Sequence, residues 1–187
     1  MNRAPSPLSS GGEPPLRVLI VNSLLSGGGT DTQTLSLCQA LRGEGCEVTL
    51  VAPTRARWLA AARALPGLRV LDIAAKRIFW AFRLPGLIRR TQADIVHAHH
   101  GRDYWIAIVG NLLSGRRAAV VVTRHLITPL REKTRRYLAP NASLIAVSDA
   151  TVNALRACDP QRTLDIHRVH CGIDTDFFRA RPERRAQ

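Results

Sequence analysis

The chain has 187 residues, of which 45% are hydrophobic, with a formal net charge of +13. That length and composition describe one globular domain with tails and exclude a wholly disordered chain. The charge comes almost wholly from arginine and suits anionic partners: lipid, sugar nucleotides or nucleic acid. The arginines are spread along the chain and form no single block, which is also what a GC-rich genome that favours arginine codons produces. No apolar run approaches the roughly 18 residues of a membrane span. The four cysteines, Cys38, Cys46, Cys158 and Cys171, form no Cys-x-x-Cys pair and read as reduced thiols in a cytoplasmic protein.

Residues 1–15 are rich in Pro, Ser and Gly, lack an apolar signal core, and are expected to be a disordered lead-in. Residues 17–22 read as a strand whose continuous apolar run suits burial on both faces. Ser26-Gly27-Gly28-Gly29 follows, then a helix over 31–43 that Thr30 or Asp31 can cap and Gly43 and Gly45 stop. Val48 to Val51 is a second strand, Arg55 to Leu65 a helix closed by Pro66-Gly67, and Arg69 to Leu71 a short third strand. A helix over 74–84 is expected to be interrupted by Pro85-Gly86 and to resume from Leu87 to Thr91. Asp94 to Ala98 is the fourth strand and residues 103–114 a helix. Ala119 to Thr123 is the fifth strand, and 127–139 a helical or irregular segment. Leu144 to Val147 is the sixth strand, after which Ser148 caps a helix to about Ala157. Residues 166–170 allow one more strand, and the charged stretch 179–187 reads as a linker.

Alternating strands and helices give an α/β fold: a doubly wound parallel sheet with helices on both faces. Ligands of such folds sit at the carboxyl ends of the strands. The residues with chemical potential fall there: Gly27, Gly28 and Gly29 after strand one, His99 to Asp103 after strand four, Arg124 and His125 after strand five. A glycine loop opening a helix presents N–H groups to a phosphate, although no Gly-x-Gly-x-x-Gly or Gly-Lys-Ser/Thr motif is present. Asp31 works against tight anion binding, since it satisfies the helix dipole itself. His97, His99 and Asp103 offer donors for a metal-dependent hydrolase, or a polar cleft without metal. Arg102 can grip a hydroxylated or anionic substrate through its fork of donors, with Asp103 as acceptor. His125, at the mouth of a central strand, can give or take a proton near neutral pH or be a structural histidine. Lys76 to Arg90 mixes bulky apolar residues with five basic ones, as a helix on an anionic membrane or an ordinary crossover helix would. No stacking-aromatic motif supports nucleic-acid binding.

The motifs in order resemble the N-terminal domain of family 4 retaining glycosyltransferases, which have the two-domain GT-B architecture. The resemblance rests on Ser26-Gly27-Gly28-Gly29 with its helix, Gly45-Cys46-Glu47-Val48, and Val51-Ala52-Pro53. It continues through Asp94-Ile95-Val96-His97-Ala98-His99, Val121-Val122-Thr123-Arg124-His125, Ile145-Ala146-Val147-Ser148 and Cys171-Gly172-Ile173-Asp174. In the last, Cys171 stands where the family usually has Asn. The resemblance spans residues 16–180 and implies one Rossmann-like, acceptor-side domain over 16–178, with the C-terminal domain absent.

It further implies transfer of a sugar from a nucleotide-sugar donor, with retention, to a glycan or lipid-linked acceptor. Cell-envelope polysaccharide or lipopolysaccharide synthesis at the inner face of the cytoplasmic membrane is the expected setting. Gly27, Gly28 and Gly29 map to the donor diphosphate, and His125 to the donor sugar. His99, His100, Arg102, Asp103 and Arg124 map to the acceptor. The cleft is expected to need no metal or cofactor and to depend on a C-terminal GT-B domain in cis or trans. Alternatives are the metal-dependent hydrolase and a non-enzymatic basic binding module.

Overall fold

A computed structural model describes residues 14–115 and 118–173. Among these residues there are seven strands: β1 (Arg17–Val21), β2 (Glu47–Pro53), β3 (Arg69–Ile73), β4 (Ile95–Ala98), β5 (Ala119–Arg124), β6 (Ser143–Ala146) and β7 (Asp165–Arg168). Six α-helices alternate with them: α1 (Gly29–Gly43), α2 (Leu59–Arg63), α3 (Trp80–Thr91), α4 (Tyr104–Ser114), α5 (Glu132–Leu138) and α6 (Asp149–Ala157). Every pairing is parallel and the order is β3-β2-β1-β4-β5-β6-β7, so the winding reverses between β1 and β4. That reversal is where a doubly wound sheet opens its ligand crevice.

Alternate residues of β1 face opposite cores, as a period of two demands. Val18 and Ile20 pack with Val48, Leu50, Cys38 of α1 and Leu59 and Ala62 of α2. Leu19 and Val21 join Val96, Val122 and Leu144 beneath Trp80, Leu84, Ile106, Leu138 and Leu155. Right-handed crossovers put α1 and α2 on the first face and α3 to α6 on the second. Among the described residues no helix covers the first face past β1. Ile95, Val121, Ile145 and Val169 there line a groove of about 600 Å³ against Leu37 and Leu41 of α1.

Three expected features come out differently. Pro85 does not interrupt a helix: α3 runs through it, preceded by a 3-10 turn at Arg77–Phe79. The ring removes a single intrahelical donor, and Trp80, Leu84, Pro85 and Ile88 are all buried. α4 lies close enough that a Cβ on Gly110 would stand 2.7 Å from Leu84 Cδ2. The helix expected over 55–65 is shortened to Leu59–Arg63, because Ala56 N–H turns back to the Pro53 carbonyl and Trp58 N–H donates to the Leu25 carbonyl. The first helix begins at Gly29 with Gly28 as its cap, not at Asp31. In the 127–139 segment only Glu132–Leu138 is helical. Ser148 does cap α6, its hydroxyl accepting from Thr151 N at 3.2 Å. Residues 1–13 of the lead-in, 179–187 of the linker and the motif beyond Ile173 lie outside the described residues.

Candidate functional site

The loop after β1 is built around Asn22 and Asp31. Asn22 Oδ1 accepts from Leu24 N and Leu25 N at 3.0 and 2.8 Å, a turn typical of asparagine. Asp31 is buried and collects donors from three directions. Its Oδ2 accepts from Ser26 N, Gly27 N and Gly28 N at 2.8, 2.9 and 3.2 Å. Its Oδ1 accepts from Asn22 Nδ2 at 2.8 Å and meets His100 Nε2 at 3.0 Å. Burial pushes its pKa up, but the bonds from Asn22, His100 and the glycine amides prevail and hold it well below the usual carboxylate range.

Two of the three glycine amides expected to face a phosphate are thus already taken by the chain's own carboxylate. The N–H groups of Gly29 and Thr30 open α1 and have no intrahelical acceptor. Gly27 has its own structural reason: its φ is +106°, and a Cβ there would lie 2.6 Å from Trp58 Nε1. Gly28 and Gly29 meet open space.

The loop after β4 closes on the loop after β1. Asp103 is fully buried, accepting from Ser23 N at 2.9 Å and from the Ser23 hydroxyl. Burial raises its pKa against the opposing pull of those bonds. Both oxygens face Ser23, so the side chain read as a substrate acceptor is turned into the fold and joins two loops. His100 makes the second joint, through Asp31. Arg102 is exposed, and its carbonyl accepts from Arg77 Nη1 at 3.0 Å.

The loop after β5 adds Arg124 and His125. Arg124 is buried, its Nη2 donating to the Thr128 carbonyl and hydroxyl at 2.6 and 2.8 Å, and its Nε has no partner among the described residues. His125 is half-buried, its buried Nε2 has no partner among the described residues, and its ring stacks on His99 at 5.8 Å between centroids. His99 stacks in turn on His97 at 4.4 Å, and among the described residues neither of its ring nitrogens has a partner. His97 Nε2 lies 2.8 Å from Thr123 Oγ1. Burial first, then the neighbouring imidazole His125, lowers the His97 pKa to about 4. Burial first, then His97 and His125, pushes His99 well below the ordinary value, and burial first, then His100, lowers His125. All three shifts favour the neutral imidazole, and the three rings line the groove together.

The trio considered for a metal, His97, His99 and Asp103, is not presented as a ligand set. His97 is bonded to Thr123, His99 lies ring-to-ring between two imidazoles, and both Asp103 oxygens hold Ser23. Among the described residues no group of three or more His, Cys, Asp or Glu is arranged to hold a metal ion.

Gly29, His100, Arg102, Arg124 and His125 thus lie on the loops after the neighbouring strands β1, β4 and β5, but Arg124 and Asp103 are buried, and His125 turns into the groove with His97 and His99. Sequence reasoning missed Asn22, Ser23, Trp58 and Thr123. Asn22, directly after a strand, carried a readable turn signal; the others depend on contacts distant in sequence.

A parallel sheet of this order, with a glycine loop after β1 and a histidine after β5, is a Rossmann-like domain. A sequence model of glycosyltransferase family 4 matches residues 27–177, and the chain belongs to that family. No curated protein matches this sequence. A glycosyltransferase structure from Rickettsia africae superposes with a TM-score of 0.72 at 17% identity, covering 91% of this chain and 47% of its own. Anabaena Alr3699/HepE, solved with UDP-glucose, gives 0.71 at 12% identity, covering 90% and 47%. MurG from Acinetobacter baumannii gives 0.63 at 14% identity, covering 86% and 46%. The chain spans about half the length of these structures.

Proposed function

We propose that this chain is the acceptor-side half of a retaining hexosyltransferase. A sugar passes from a nucleotide-sugar donor to a glycan or lipid-linked acceptor of the cell envelope. The acceptor oxygen replaces the diphosphate at the anomeric carbon with configuration retained. A C-terminal GT-B domain, in cis or trans, holds most of the nucleotide; the Anabaena relative, solved with UDP-glucose, supports this donor class. The nucleotide sugar is substrate, and no further cofactor is assigned.

The observation that carries the reading is the ring of His125 just past the end of β5, which stacks on His99, lines the groove beside His97 and Thr123, and holds a buried Nε2 without a partner among the described residues. In that place it exchanges a hydrogen bond with a hydroxyl of the donor sugar. Gly29 and Thr30 N–H face the diphosphate as a weak lip. Asp31 already answers the helix dipole and occupies the Gly27 and Gly28 amides. His100, Arg102 and Arg124 contact the acceptor. Asp103 and His99 are positioning residues, the first through Ser23 and the second beneath the His125 ring.

The test is the His125→Ala variant joined to the donor-binding half, assayed for transfer from a panel of nucleotide sugars. We expect kcat/KM to fall by about 100-fold or more, the scale of losing a positioned acid–base or hydrogen-bonding group. His99→Phe is expected to lower kcat through misplacement of His125 with little change in KM. Undiminished turnover of His125→Ala rejects the role.

A further inference from the structure

We propose that the outward face of α3 and the 3-10 turn before it is a docking surface for an anionic lipid bilayer. Trp80, Leu84, Pro85 and Ile88 fill the core on the inward side. The outward side presents Ile78, Phe79 and Phe82 at 57, 53 and 72% exposure. A crossover helix with a merely solvated face would carry polar residues at those positions. Lys76, Arg77 and Arg83 stand among the three apolar side chains, and Arg89 and Arg90 continue the exposed face. No acidic residue occurs from 73 to 93.

This pattern commits the occupant. Basic residues alone would suit any phosphate-bearing surface. Bulky apolar side chains projecting from the middle of a basic helical face suit the boundary between headgroups and acyl chains, where the first are attracted and the second are removed from water. Because α3 is continuous through Pro85, Phe82, Arg83, Arg89 and Arg90 lie on one helix anchored by buried neighbours, and Ile78 and Phe79 on the 3-10 turn lead directly into it. No helix among the described residues is long and apolar enough to cross a membrane, so the contact is with the surface.

The patch also has a place relative to the candidate site. Arg77 holds the carbonyl of Arg102, so the docking face adjoins the loop after β4. This part of the inference rests on the proposed function: an acceptor reaching His100 and Arg102 would arrive from a bilayer surface, which favours a lipid-linked acceptor over a free glycan.

The experiment is co-sedimentation of the full chain with vesicles of phosphatidylcholine alone and with vesicles mixed with phosphatidylglycerol. Binding is expected to the mixed vesicles and not to phosphatidylcholine, and to weaken as salt is raised. Phe79→Ser/Phe82→Ser and Lys76→Gln/Arg83→Gln are each expected to reduce partitioning by about tenfold or more. Both pairs are exposed, so folding is checked separately by thermal unfolding. Leu112→Ser/Leu113→Ser, exposed elsewhere on α4, should leave partitioning unchanged. Equal binding by the Phe79→Ser/Phe82→Ser variant overturns the proposal. So does single-stranded RNA that displaces the vesicles stoichiometrically and is itself released by the same two variants. Vesicle binding needs neither donor nor acceptor, so its failure would leave the transferase reading standing, and loss of that reading would leave vesicle binding standing.

Discussion

Replacing Asp31 with Asn tests how the glycine loop is held, because it changes one atom at the meeting point of five donors. If the remaining oxygen keeps the amides of Ser26, Gly27 and Gly28, the new NH2 group points at Asn22 Nδ2 and His100 Nε2. His100 can adapt by changing tautomer. Asn22 cannot flip, since its Oδ1 is held by Leu24 N and Leu25 N, and it is fully buried. Its Nδ2 keeps only a long contact of 3.4 Å to Thr34 Oγ1. One stranded buried donor and the loss of charge-assisted bonds together cost about 2–4 kcal/mol. For a chain of this size that is a fall in Tm of roughly 5–15 °C. The carboxylate's folded pKa is depressed, so its contribution is complete above the ordinary value near 4 and is lost as pH falls below it. The wild type should therefore lose stability in that acid range more steeply than Asp31→Asn. Urea unfolding at pH 7 and across the acid range measures both. A variant within about 0.5 kcal/mol of wild type at pH 7, the usual effect of a surface change, refutes the description of this loop.

Gly27→Ala should destabilise by about 1–3 kcal/mol through positive φ and the Trp58 contact, whereas Gly29→Ala should be neutral or slightly stabilising; paired melts distinguish them. Gly110→Ala should cost about 1–3 kcal/mol in urea unfolding, because α3 and α4 must part to admit a methyl group against Leu84. His97, His99 and His125 are neutral in the fold and protonate in the unfolded chain, so stability should decline as pH drops below about 6.5. A His97→Phe/His99→Phe variant should show a flatter stability profile between pH 7 and pH 5, followed by chemical unfolding at each pH.

The sheet was legible in the sequence because its strands are short apolar runs between turn signals, and their alternation with helices leaves few topologies. Gly27, Arg124 and His125 could be put at strand ends for the same reason. What the loop does with its amides was only half legible. Asp31 in the first helical turn announces competition for the dipole, but its bond to His100 spans 69 residues and follows from the β1–β4 neighbourhood. The inward turn of Asp103 depends likewise on Ser23, 80 residues away. Pro85 misled because a local rule was applied where tertiary burial governs: the ring fits among Trp80, Leu84 and Ile88, and one lost hydrogen bond is outweighed. The apolar residues of Lys76 to Arg90 could be counted from the sequence. Which of them face outward required the orientation that α4 imposes on α3.

If these residues form one wall of a two-domain transfer cleft, neither half works alone. Labelled-sugar transfer from nucleotide sugars is measured with this chain alone, with the donor-binding half alone, and with the two joined or mixed. Negligible transfer is expected from either part, transfer with retained configuration from the combination, and its loss on His125→Ala. Full turnover by the 187-residue chain alone would contradict it, as would a combination that turns over equally well without His125.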